Sequence, residues 1–152
     1  MKPRIELDAI SSFAQNLLPS TSAIELLNLP DKPYNGMVVF RFLGEEPRMV
    51  NGWQSEHIRQ WQVINFDGHP MDNVDTAAAL GKAFIHGVTI PYTDEHGGMW
   101  YTRVQAYSVG QQQETEDGLN VILSILETKT GAVATQEQYE LMMTYIMTIG
   151  GI

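Results

Sequence analysis

The chain has 152 residues, of which 43% are hydrophobic and 18% charged. That composition describes one globular domain with a single hydrophobic core rather than a disordered segment. A net charge of −9, from 9 basic and 18 acidic residues, excludes broad duplex-DNA binding, which needs clustered Lys and Arg. The complete lack of cysteine excludes disulfides, iron–sulfur clusters, thiolate zinc sites and a Cys nucleophile.

Met1-Lys2-Pro3-Arg4 has the charge of a signal-peptide start, but Glu6 and Asp8 fall where its apolar core would run. No apolar run reaches bilayer-spanning length, so a water-soluble chain is expected. Residues Ile5–Leu18 predict an amphipathic helix, with Ile10, Phe13, Ala14 and Leu17 at helical spacing and Pro19 ending it. Ala23–Leu29 is too short and uncapped to assign. Pro30-Asp31-Lys32-Pro33 is a stiff loop, because each proline restricts itself and its predecessor.

Met37–Leu43 predicts a strand with Val38, Phe40 and Phe42 on one face. Gly44-Glu45-Glu46-Pro47 then reads as a turn, and Arg48–Trp53 as a weak returning strand. Ile58–Phe66 is a further strand, with Trp61 and Val63 opposing Gln60 and Gln62. After the turn Asp67-Gly68-His69-Pro70, Asp72 is the expected N-cap of a helix running to about His86. Its face of Val74, Ala77, Ala78, Gly81, Phe84 and Ile85 is suited to lying on a sheet, and Gly87 to closing the helix.

Thr89–Gly98 reads as a loop, Met99–Val109 as a long strand, and Gly110–Gly118 as a polar, mobile loop. Leu119–Glu127 is the last expected strand, with Leu119, Val121, Leu123 and Ile125 on one face. Thr135-Gln136-Glu137-Gln138 has the form of a capping box opening a helix to about Ile149. The expected fold is therefore α+β: a mixed, mainly antiparallel sheet of four to five strands with an N-terminal, a central and a C-terminal helix. It forms one domain, with a core over 1–128 and a helical extension over 129–152.

No catalytic motif emerges. The most metal-like cluster, Asp94-Glu95-His96, precedes Gly97-Gly98 in what reads as a solvated hairpin tip. There is no Gly-x-Ser-x-Gly elbow, no phosphate-binding glycine loop and no carboxylate pair held at a defined separation. No cofactor or metal is expected. Trp53, Trp61, Trp100, Tyr101 and Tyr107 could form a stacking platform, but Arg48, Arg59 and Arg103 are too scattered for the cationic groove that stacking on nucleic acid requires. Core packing and cross-strand pairing account for them better. The helix after Thr135 has almost no polar face, and its Met142, Met143, Ile146 and Met147 suit either its own sheet or a partner surface.

Three stretches carry a resemblance. They are the N-terminal helix leading through Leu29-Pro30-Asp31-Lys32-Pro33 into Met37-Val38-Val39-Phe40; Gln60-Trp61-Gln62-Val63-Ile64 followed by the Asp72–His86 helix; and the late strand pair across Gly110–Gly118. In this order the chain resembles, over about Met1–Thr128, the tail terminator (tail completion, or minor capsid) proteins of long-tailed bacteriophages. Where that family often carries an Arg just after the strand before the central helix, Asn65-Phe66-Asp67 stands here.

The resemblance implies a non-enzymatic virion assembly protein: a hexameric ring that caps the tail tube and meets the head–tail connector. DNA would pass through its lumen, and the protein would reside in the virion neck after assembly in the host cytoplasm. An acidic lumen would keep DNA from adhering, with Glu45, Glu46, Glu114, Glu116 and Asp117 as the expected wall. A ring needs two different patches on each subunit. One is expected on Gly110–Gly118 and Thr89–Gly98, through Gln111, Gln112, Gln113, Glu114, Asp94, Glu95 and His96. The other is expected on an edge strand near Glu45–Trp53, through Glu45, Glu46, Arg48 and Trp53. Two other readings are a metal-dependent hydrolase using Asp94, Glu95 and His96, and a small adaptor binding one protein through its C-terminal helix.

Overall fold

The structure, a computed structural model, describes residues 3–16, 18, 23–26, 32–51, 54–85 and 87–132. The expected C-terminal helix, with Met142, Met143, Ile146 and Met147, lies outside the described residues, as does Trp53. Among the described residues, no helix is long and apolar enough to cross a membrane.

The elements follow in the order α1 (Pro3–Gln15), β1 (Ala23–Leu26), β2 (Met37–Asn51), β3 (Gln54–Asp67), α2 (Pro70–Ala83), β4 (Thr89–Thr93), β5 (Met99–Glu114) and β6 (Asn120–Ala132). One sheet holds all the strands in the order β1-β2-β3-β6-β5-β4. The β2–β6 strands are antiparallel neighbours, and β1 joins β2 in parallel over Met37–Phe40 alone. The α+β class and the mainly antiparallel sheet are as expected. The strand count is higher than four to five because two short segments, Ala23–Leu26 and Thr89–Thr93, pair as edge strands.

Both helices lie on one face of the sheet. Leu7, Ile10 and Ala14 of α1 repeat at three- and four-residue spacing and are buried against Val38, Phe40, Trp61, Val63 and Leu126. Phe84, just after α2, is the hub, with Phe13, Phe40 and Tyr107 rings 5.6–6.2 Å from it. A smaller buried cluster of Met37, Val39, Ile64, Phe66 and Val121 lies on the opposite face.

Several local expectations are corrected. Gly44–Pro47 is no turn: β2 runs through it, paired to β3 from Gly44↔Gln60 to Pro47↔His57, with a bulge between Phe42 and Gly44. Proline is tolerated because β2 beyond Phe40 has no strand on its other side among the described residues. Gly110–Glu114 is likewise strand, not loop, with the turn confined to 115–119. Gly110 sits at a bulge where a Cβ would lie 2.0 Å from the Leu123 carbonyl oxygen, so glycine is required there. β6 continues to Ala132, past the expected core boundary at residue 128.

The α2 helix begins two residues before Asp72. Pro70 opens it, His69 is its N-cap without a side-chain cap, and Asp72 sits in the first turn. The buried face is Asn73, Thr76, Ala77, Leu80 and Ala83, so Val74 and Ala78, expected inward, point to solvent. In β6 the expected inward set also moves. Ile122, Ser124 and Leu126 face the helices, while Leu123 and Ile125 are exposed.

Candidate functional site

The most ordered polar constellation joins α1 to the sheet. Arg59, Trp61 and Val63 share one face of β3, so Arg59 is carried under α1 together with the core. Glu6, on the same helix face as Ile10 one turn later, meets it there. Both are essentially fully buried, and the Arg59 guanidinium donates to a Glu6 carboxylate oxygen. The other Glu6 oxygen accepts from the hydroxyls of Thr102 (2.7 Å) and Thr128 (2.9 Å). Thr128 in turn accepts from the Trp61 indole N–H at 3.0 Å.

Arg59 also donates to Glu45 Oε1 from Nε (3.2 Å) and Nη2 (3.0 Å). His57 Nδ1 lies 2.6 Å from the same oxygen, without hydrogen-bond alignment. Nearby, Tyr92 and Thr130 hydroxyls meet at 2.7 Å, and Thr130 donates to the Tyr101 carbonyl. Burial pushes the Tyr92 phenol well above its ordinary value. Sealed from solvent and bonded at both carboxylate oxygens, Glu6 has no route to a substrate. The cluster is a structural clamp that fixes where α1 docks.

A second polar group lies under α2. The Asn73 carboxamide nitrogen reaches the Asn65 carbonyl (3.2 Å) and the carbonyl and side-chain oxygens of Asn120 (3.0 and 2.9 Å). Asn73 Oδ1, both polar atoms of the Asn65 side chain, Ser124 Oγ and Tyr107 Oη are buried without a hydrogen bond. Burial raises the Tyr107 phenol to about 12.

The expected interface residues separate. Asp94 closes the β4–β5 turn: its carboxylate accepts from the backbone of His96 (2.9 Å) and Gly98 (2.7 Å) and from the Trp100 indole (2.7 Å). These bonds, Trp100's first, hold the Asp94 carboxyl below the ordinary carboxylate range. Glu95 and His96 are exposed, 3.7 Å apart. Among the described residues, no three His, Asp or Glu side chains converge on a common metal position.

Strand register places the β4–β5 turn and the tip of the β2–β3 hairpin at one end of the sheet, and the β5–β6 turn at the other. Asp94, Glu95 and His96 therefore do not form a patch with Gln111, Gln112, Gln113 and Glu114. The reason is the antiparallel meander, which alternates its turns between ends. The same alternation separates Glu45 and Glu46 from Glu114, Glu116 and Asp117, so these acids do not form one tier of a lumen wall. Glu45 serves the clamp, while Glu46 pairs with exposed Arg48 at 3.4 Å. Gln112 donates to the Pro70 carbonyl at 3.1 Å, and Gln111, Gln113 and Glu114 stand exposed.

What does stand out at the surface is apolar. Phe42, Leu43 and Met49 are exposed on β2, Met49 at 80%, and Val109, Leu123 and Ile125 are exposed on β5 and β6. No family model matches the chain, and no curated protein matches it.

Proposed function

We propose that the protein is a structural virion component, a tail terminator or closely related head–tail joining protein that self-associates into a ring on the tail tube. The observation that carries this reading is a pair of unlike exposed apolar groups on separate strands of one sheet. One is Phe42, Leu43 and Met49 on β2; the other is Val109, Leu123 and Ile125 on β5 and β6. A closed cyclic ring needs two non-identical patches per subunit, one for each neighbour. The Glu6–Arg59 clamp supports the same reading, because a rigid sheet holds both patches at a fixed angle and a fixed angle lets a ring close.

The net charge of −9 suits a channel that DNA traverses without adhering, since phosphate contacts from clustered Lys and Arg are what retain it. Function in this reading comes from shape and association. Negative-stain microscopy of the protein, alone and with tail-tube subunits, tests it. Rings of tube diameter, formed alone or templated on tube ends, are expected; particles that never close into rings under either condition would contradict it.

A further inference from the structure

The outward face of α2 has an apolar stripe that the fold leaves uncovered. Met71 is 61% exposed, Ile85 just past the helix is 58% exposed, and Val74 and Ala78 between them are exposed too. Their spacing is three, four and seven residues, so Met71, Val74 and Ala78 lie along one side of the helix and Ile85 prolongs the line just past its end. Such a seam is the pattern of a helix that packs against another helix, whereas the face on the sheet is Asn73, Thr76, Ala77, Leu80 and Ala83.

From these residues we infer that α2 pairs with α2 of a second copy, antiparallel, about a two-fold axis at Ala78. Reversing the helix about Ala78 sets Met71 against Ile85 of the other copy, Val74 against the apolar stem of Lys82, and Ala78 against itself. The small Ala78 at the crossing lets the two backbones approach closely. Charge selects the occupant and its direction. Asp75 and Lys82, both exposed, fall on the same flank of the seam, one heptad apart. In an antiparallel pair, residues of that flank meet their counterparts, so Asp75 of each copy faces Lys82 of the other, twice per dimer. A parallel pair would set this flank against the opposite one, which is Ala77 and Phe84, uncharged and buried on the sheet, so no charge pair would form. The stripe is thus complementary to itself reversed.

A contact of about four turns is small beside a standard interface of about 1,600 Å², so the dimer is concentration-dependent. It uses neither apolar group of the hairpins and does not depend on the ring reading.

The absence of native cysteine makes the test direct. Ala78→Cys places the only thiol of the protein on the two-fold axis. Under mild oxidation it is expected to form a disulfide-linked dimer far faster than Gln111→Cys, an exposed control on β5. Sedimentation of the uncrosslinked protein is expected to show loss of the dimer in Asp75→Lys and its recovery in Asp75→Lys with Lys82→Asp. Equal crosslinking rates for the two thiols would overturn the inference. So would an Ala78→Cys thiol that is shielded from alkylation yet forms no dimer, because another occupant then covers the stripe. A double charge swap that stays monomeric would overturn the antiparallel register. Ring formation is read separately by microscopy, so its failure leaves this result standing and the reverse.

Discussion

Two buried polar regions lie on the same face of the sheet, and they are built on opposite terms. Beneath α1, Glu6, Arg59, Thr102, Thr128 and Trp61 form a charged network in which each Glu6 oxygen has a donor. Beneath α2, Asn65, Asn73, Ser124 and Tyr107 bring neutral groups together and leave five of their polar atoms without a hydrogen bond. A buried ion pair is costly to break, because the remaining charge stays in a low-dielectric interior. An unpaired neutral group costs free energy while it is present and little when it is removed. The α1 junction should therefore be intolerant of single changes, and the α2 junction selectively tolerant.

The largest expected effect is at the clamp. Arg59→Ala strands the Glu6 carboxylate and is expected to lower stability by about 3–5 kcal/mol in chemical denaturation. That is a large share of the roughly 5–15 kcal/mol typical of a domain. Replacing Glu6 and Arg59 together by leucine is expected to cost less than the sum of the single changes, by about 0.5–3 kcal/mol. Strict additivity would show that the pair is not coupled.

At α2 the expected effects are smaller and differ in size from residue to residue. Asn73→Ala removes the bonds to Asn65 and Asn120 and is expected to cost about 1–3 kcal/mol. Ser124→Ala, which removes a hydroxyl that makes no bond, is expected to be neutral to within about 1 kcal/mol or stabilising. A Ser124→Ala loss as large as that of Asn73→Ala would erase the contrast between the two regions.

Alkaline pH acts on both regions through tyrosine. A phenol whose folded value is raised keeps its proton after the unfolded chain has lost its own. The unfolded state then binds fewer protons, and stability falls as pH rises. Tyr92, Tyr101 and Tyr107 are all raised, chiefly by burial. Full stability is thus expected below about pH 10, the ordinary tyrosine value, with progressive loss above it. Phenolate absorbance should show at least three tyrosines resisting titration until unfolding; all six titrating together near the ordinary value would contradict this.

The smallest effect belongs to the β4–β5 turn. The Asp94 carboxyl is held low, so its contribution is present above the ordinary carboxylate value and is lost only as pH falls through its own lower value. The Trp100 indole N–H resonance should hold its position down to that point. A shift already complete at the ordinary value would show that the Asp94–Trp100 bond does not form.

The sequence carries the strands and helices in its periodicity, yet it misplaces the turn at Gly44–Pro47. Gly and Pro mark turns in general, whereas here a bulge and a half-open edge absorb both. The α2 face shifts for a different reason. Asn73 and Thr76 are polar and read as outward, although backbone carbonyls beneath the helix accept from the Asn73 amide nitrogen. The clamp is legible in part: Arg59 alternates with Trp61 and Val63, and Glu6 precedes Ile10 by one turn. Nothing local reveals that they meet, because 53 residues separate them in the chain. The separation of the interface residues into two ends requires strand register, which periodicity does not encode.

The central claim is association through two unlike patches, and mixing tests it most directly. One variant carries Phe42→Asp and Met49→Asp, the other Leu123→Asp and Ile125→Asp, both with Ala78→Glu to remove contacts along α2. Native mass spectrometry in the presence of tube subunits is expected to show each variant alone as a monomer, their mixture as a dimer that grows no further, and the parent as a closed ring. Variants that assemble like the parent, or a mixture that stays monomeric, would contradict the account.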